Sequence, residues 1–173
     1  MACDITAGRL RACKQNLGGL GSLFLFNFVA NPFTYANGIV TAINPLLTEV
    51  FEYELEGDGN NVVETLTPDR NTGTTVNTQV ITTVLKKIDA TSSAQMNLLA
   101  YGYPMAVVRD RNGIYHAIGI DDGIDFVVAQ STGGAKTEMN GYTLTGTSTT
   151  GSLSPKLDSA TVTAFLALLP SEE

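Results

Sequence analysis

The stretch from Gly73 to Ile88, GTTVNTQVITTVLKKI, restricts the fold more than any other part of the chain. Threonine and valine fill most of it, and β-branched side chains lose rotamer freedom in a helix while packing well on a pleated surface. Val76, Val80, Val84 and Ile88 share one parity with Thr74, Thr78, Thr82 and Lys86, so one long strand presents them all on a single face. Alternation, not helical spacing, is the rhythm of most of the sequence.

Ser22 to Val29 alternates in the same way, with Phe24, Phe26 and Phe28 opposite Leu23, Leu25, Asn27 and Val29. Three phenylalanines on one side of a strand require a core. Turn-forming Asn, Pro and Gly dominate Asn31 to Pro45, leaving room for a short strand at Gly38 to Ile43. In TEVFEYELEGDG, Glu49, Phe51, Tyr53 and Leu55 face one way and Val50, Glu52, Glu54 and Glu56 the other, which makes one face acidic. GDGN at 57–60 reads as the turn of a hairpin that returns through Asn61 to Thr67.

One helix interrupts the pattern. In TSSAQMNLLAYGYP, Ser92 is placed to cap the N-terminus with Gln95 completing a capping box, Gly102 and Pro104 supply the stop, and Met96, Leu99 and Ala100 turn inward. Two strands then flank the Asn112-Gly113 turn, and IDFVVAQ supplies another. MNGYTLT starts a further strand, with Tyr142 and Leu144 on one face and Thr143, Thr145 and Thr147 on the other. The apolar density of ATVTAFLALLP fits a buried strand or a short helix, and its alternation selects the strand.

These elements add up to a mainly β fold, a β-sandwich or small barrel with one short α-helix. The 173 residues fit a single β-rich domain, with 1–21 as an N-terminal arm joined through the flexible NLGGLGS. Charged residues are only 16% of the chain, which leaves little ionic surface and room for buried interfaces. The net charge of -7 argues against a protein that coats nucleic acid, because affinity for phosphate is built from Lys and Arg. No apolar run reaches the roughly 18 residues that span a bilayer, and Leu20 to Ala30 lacks the order of a signal peptide. A soluble chain without an export signal is expected, and Cys3 and Cys13 are too few for a disulfide framework and read as free thiols.

No catalytic constellation emerges. His116 is the sole histidine, so a metal site or a Ser-His-Asp arrangement would depend on that one imidazole. Asp121, Asp122 and Asp125 lack the spacing of a calcium loop and read as solvated turn carboxylates. NLGGLGS lacks the Lys-Ser/Thr ending of a phosphate-binding loop. The sequence points to no cofactor, no metal and no enzymatic role. Two charged features keep two readings each. The arm residues Arg9, Arg11 and Lys14 either dock on a neighbouring copy or belong to a solvated helix, and the acidic run either is a solvated hairpin face or faces phosphate without holding it.

The N-terminal MACDITAGRLRACKQNLGGL, the FEYELEG segment, TTVLKKI, LLAYG with its following NG turn, and MNGYTLT together resemble virion structural proteins of tailed phages. The closest likeness is to tail-tube proteins of phages of Bacteroidetes-type hosts, and it covers nearly the whole chain. That resemblance implies a sandwich or small barrel with a flanking helix, assembled as stacked, hexameric rings whose long hairpins form a continuous inner barrel for passing DNA. It implies other tail or neck proteins as partners, no membrane, and a place in the virion tail after assembly in the bacterial cytoplasm. An acidic lumen would keep phosphate from sticking, with Glu52, Glu54 and Glu56 as candidate lining.

Arg9 and Arg11, and the strand residues Tyr142, Thr143, Leu144 and Thr145, are candidate subunit contacts. The strand would offer an edge for sheet continuation, the alternative being an internal strand of an ordinary sandwich. A head-tail connector, tail-terminator or capsid decoration protein is the neighbouring reading. A monomeric β-sandwich that binds a ligand is the reading from another class, and it requires aromatic residues exposed in a groove.

Overall fold

The computed structural model describes residue 5, residues 7–11 and residues 13–170. The chain runs β1 (Leu20–Phe26), β2 (Phe33–Ala36), β3 (Ile39–Ile43), β4 (Phe51–Glu54), β5 (Asn61–Asp69), β6 (Thr74–Lys86), α1 (Ala90–Tyr101), β7 (Met105–Asp110), β8 (Tyr115–Ile118), β9 (Asp125–Ser131), β10 (Gly141–Thr150), β11 (Lys156–Leu157) and α2 (Ser159–Leu166). A seven-stranded sheet in the order β2-β3-β11-β8-β7-β1-β4 faces a four-stranded sheet in the order β5-β6-β10-β9. The fold is a β-sandwich. The sheets do not close on one another, so of the two architectures expected from the sequence the barrel is set aside.

The large sheet is covered on both faces, which explains why its central strands are almost wholly apolar. Leu23, Leu25, Ala106 and Val108 point toward the small sheet and meet Ile81, Ile124, Tyr142 and Leu144. Phe24, Phe26, Met105 and Val107 point the other way, into a second core closed by Phe165 of α2. Phe165 lies edge-on to Phe24 and Phe26, with ring centroids 5.7 and 6.2 Å away. Such edge contacts add to the area-based gain of burying aromatic rings.

The second helix corrects the strand expected over ATVTAFLALLP. Asp158 caps it, accepting a hydrogen bond from Thr161 N at 2.7 Å, and helical spacing brings Thr161 and Phe165 onto the buried side. Alternation was a poor guide there because the segment covers a sheet face instead of joining a sheet. A similar shift affects α1, where Asp89 and not Ser92 is the cap: its carboxylate accepts from Ser92 N at 2.8 Å and Ser92 Oγ at 2.7 Å. Met96 is buried and Leu99 packs on the first core, but Ala100 is exposed.

GDGN is not a hairpin turn. β4 belongs to the large sheet and β5 to the small one, so the glycines at 57 and 59, both at positive φ, carry the chain from one sheet to the other. Asn60 secures the crossing: its carbonyl accepts from Leu20 N at 3.1 Å and its side chain accepts from Val84 N at 2.8 Å. The expected strands over the Phe-rich segment, Gly38 to Ile43, the long Thr/Val stretch and the two flanks of Asn112-Gly113 are present. β1 nevertheless stops at Phe26, which leaves Phe28 half exposed.

In β6 the inward residues are Asn77, Gln79, Ile81 and Thr83, while the face carrying Val76, Val80 and Val84 points away from the core. The sandwich interior therefore grades from apolar beside α1 to polar toward the β5–β6 turn.

Candidate functional site

The polar end of the interior centres on Glu64 of β5. Its carboxylate accepts from Asn77 Nδ2 at 2.9 Å, Gln79 Nε2 at 3.1 Å, Ser154 N at 2.8 Å and Ser154 Oγ. Half-burial pushes this carboxyl up, but the hydrogen bonds outweigh it and hold Glu64 below the ordinary carboxylate range. Gln79 is fixed in turn, its Oε1 accepting from Gly119 N at 3.0 Å. Beside this cluster a cavity of about 340 Å³ is lined by Glu64, Asp110, His116, Asn61 and Asn112.

His116 Nε2 stands 3.7 Å from Asp110 Oδ2. Burial and the nearby Lys156 cation push its imidazole down, more than Asp110 pushes it up, so it is neutral at neutral pH. Ser154, the hydroxyl of this region, donates to Glu64 and not to His116. The arrangement joins three chain segments through one carboxylate, with three donors on Oε2 and the Ser154 hydroxyl on Oε1. A lone acid inside a β-branched strand, VVETLT, was the sequence signal for it.

The larger concavity, about 870 Å³, lies between the free edge of β4 and helix α1, and is lined by Phe28, Phe51, Leu98, Tyr103, Glu52 and Asp122 among others. Two local facts open it. α1 has no apolar face, burying Met96 while leaving Leu98 62% exposed, and β4 is the last strand of its sheet. Tyr53 also lines this groove, and burial pushes its phenol up, which keeps it a neutral donor. The sequence carried the aromatic residues, but only the juxtaposition of β4 with the end of α1 makes them one surface.

The β4 edge has a defined hydrogen-bonding pattern. Leu55 N donates to Gly21 O at 3.1 Å, and Tyr53 pairs with Leu23 and Phe51 with Leu25 in the same register. Antiparallel ladders alternate bonded and non-bonded pairs, so the backbone N–H and C=O groups of Glu52 and Glu54 point outward along the open edge. Their side chains share the sheet face of Phe24 and Ser22, their register partners, and are exposed.

Comparison with protein-family models, with curated proteins and with solved structures finds no match to this chain.

The residues singled out from sequence fall at separate places. Glu52 and Glu54 are on the β4 edge, whereas Glu56 lies beyond it and pairs with Lys86 at 3.2 Å in an exposed contact. Arg9 and Arg11 lie on the arm, exposed, and none of the arm's described residues is helical. Tyr142, Thr143, Leu144 and Thr145 do not form a sheet edge. β10 is an inner strand, paired with β6 along its length and with β9 from Gly141 to Thr147. Tyr142 and Leu144 are 1% and 0% exposed in the first core, and only Thr143 and Thr145 face outward. The hydroxyl-rich composition reflects a strand with one core face and one Thr face. Cys13 is an exposed free thiol, and Cys3 lies outside the described residues.

Proposed function

We propose that this chain is a virion structural protein that self-assembles into stacked rings, as the subunit of a phage tail tube. The observation that carries the reading is the overrun of the β5–β6 hairpin. β10 covers β6 only from Asn77 to Lys86, so the ribbon from Thr67 to Val76 continues with neither an outer strand nor a packed face. A two-stranded ribbon is marginal by itself in water, and Leu66 and Val76 at its root expose 45% and 42% of their surface. A partner that pairs with the ribbon would supply what it lacks, and in a closed ring every copy would supply it to the next.

The outward face behind the ribbon supports the same reading. Val63, Thr65, Val80, Thr82, Thr143 and Thr145 make a neutral, β-branched centre to this face, with Asp69 and Asp125 nearer its rim. The one lysine of β6 on this face, Lys86, lies at its far end and is paired with Glu56, and a surface poor in cations holds phosphate weakly, which suits a conduit for DNA. Glu52 and Glu54 are better placed for a joint between copies than for a channel lining, because an open sheet edge is where a neighbouring chain pairs.

A second reading has its own observation. The aromatic groove beside α1 is what a β-sandwich binding an apolar ligand would need. Negative-stain electron microscopy with light scattering, across a concentration series of the full chain, separates them. Stacked tubes with a central channel are expected. Rings that never stack would favour a connector or terminator, and a monomer at every concentration would remove the tube reading and leave the groove to be tested with ligands.

A further inference from the structure

The open β4 edge and the N-terminal arm have matching patterns. β4 reads Glu52-Tyr53-Glu54, with both carboxylates on one face and Tyr53 turned into the aromatic groove. The arm reads Arg9-Leu10-Arg11, which as a strand would place both guanidinium groups on one face and Leu10 on the other. Laid along β4, Arg9 and Arg11 would stand opposite Glu52 and Glu54 at the two-residue spacing of cross-strand pairs, with Leu10 directed at the groove.

Neither half is satisfied within one molecule. Leu10 is 93% exposed, and among the described residues Glu52, Glu54, Arg9 and Arg11 take part in no ion pair. The arm leaves the body where Leu17 exchanges hydrogen bonds with the Asn112 side chain, at 2.9 and 2.8 Å, beside the β7–β8 turn. From that anchor to Arg9 is eight residues, or about 27 Å of extended chain.

We infer that the N-terminal arm of one copy adds as a strand to the β4 edge of a second copy, with Arg9 and Arg11 on Glu52 and Glu54 and Leu10 in the groove lined by Phe51, Tyr53 and Leu98. The added strand would take up the outward backbone groups of Glu52 and Glu54, and the like charges on β4 would turn away edges that are not basic. The arm and the edge are different surfaces, so unless two copies exchange arms reciprocally the contact is head-to-tail and can propagate. The inference builds on the self-assembly proposed above and specifies one of its joints.

Complementary charge reversals test it on the full chain by sedimentation velocity. R9E/R11E opposes acid to acid and E52R/E54R opposes base to base, so each alone should need at least a tenfold higher concentration to associate than the unaltered chain. Mixed in equal amounts, each variant's arm meets an edge of opposite sign, and association should return. Hydrogen exchange should show the Glu52 and Glu54 amides protected in the unaltered assembly and in the mixture but not in either variant alone. Association of both single variants at the unaltered concentration would overturn the joint while leaving ring assembly standing. Failure of the mixture to recover, or an unaltered chain that is monomeric throughout, would overturn it as well. Open chains of subunits that keep the charge-swap behaviour but never close would retain the joint and remove the ring reading.

Discussion

Ser154 donates both its backbone N–H and its hydroxyl to the carboxylate of Glu64, tying the segment after β10 to the inner face of β5. The same carboxylate takes side-chain amides from Asn77 and Gln79 of β6, so one acid organises the polar end of the sandwich. An amide of the same shape keeps one acceptor oxygen for the three donors at Oε2 but removes the charge that strengthens those bonds, and its NH2 makes the Ser154 hydroxyl turn to accept. Glu64→Gln should cost about 1–2 kcal/mol of unfolding free energy at pH 7, since hydrogen bonds to a charged group are worth more than those to a neutral one. Urea denaturation measures it, and a midpoint equal to that of the unaltered chain would show the cluster to be energetically idle.

The same cluster sets an acid dependence. Glu64 is held below its ordinary value of 4.5, so the unfolded chain binds a proton more readily than the folded one as the pH drops. Its contribution is therefore complete above pH 4.5 and fades as the pH falls through the lower folded value. The stability gap between the unaltered chain and Glu64→Gln should narrow from pH 6 to pH 3. A gap that stayed constant or widened over that range would contradict the assignment.

Phe165 carries the attachment of α2 to the large sheet. It is fully buried, and its ring meets Phe24, Phe26 and Phe33. Phe165→Ala removes a ring from the centre of the second core, and a large aromatic deletion there should cost about 3–5 kcal/mol. The exposed neighbour Thr163 serves as the control: Thr163→Ala should change thermal stability by only about 0.5 kcal/mol. Equal effects from the two would mean that α2 does not cover the core.

How much of this was legible beforehand depended on the range of the interactions. Strands with one buried face, such as β10 with Tyr142 and Leu144 inward, declared themselves through alternation, a property of the chain alone. The helix at Ser159–Leu166 did not, because its apolar residues cover a sheet face that only the assembled sheet creates. GDGN signalled a turn correctly, yet whether β5 returns beside β4 or crosses to the other sheet is decided by Asn60 bonding to both Leu20 and Val84, two contacts far away in sequence. The candidate site divided in the same way. The acids of β4 were visible, whereas the free edge that gives them meaning depends on the strand order. Tyr142 to Thr145 looked like an edge because threonines are common at edges and on any exposed face alike.

Gly141 opens β10 where it passes closest to β6. A methyl group built there would overlap the Leu85 carbonyl oxygen, a backbone atom that no change of rotamer can move. Gly141→Ala should therefore force the β6–β10 ladder apart at one end, at a cost of about 1–3 kcal/mol or more from overpacking. Gly151→Ala, where a methyl group meets open space, is the matched control and should be close to neutral. Comparing the two by chemical denaturation checks the register, since a β10 shifted by one residue would remove the overlap and the difference.

The exposed ribbon connects the fold to the proposed assembly. Leu66 lies level with the last pair of β10 and Val76 just beyond it, and both are exposed, so placing a carboxylate at each changes little in the isolated chain. Leu66→Asp with Val76→Asp should leave the unfolding midpoint of the monomer within about 0.5 kcal/mol of the original, as for surface changes generally. In a ring, both carboxylates would be carried into every ribbon contact, and burying unpaired charge costs far more than the apolar contact it replaces. The double variant should therefore remain folded yet fail to form tubes at concentrations where the unaltered chain does so. Circular dichroism and negative-stain microscopy on the same samples give the two readouts. Tubes of normal number and length from the double variant would show that the ribbon does not join the subunits.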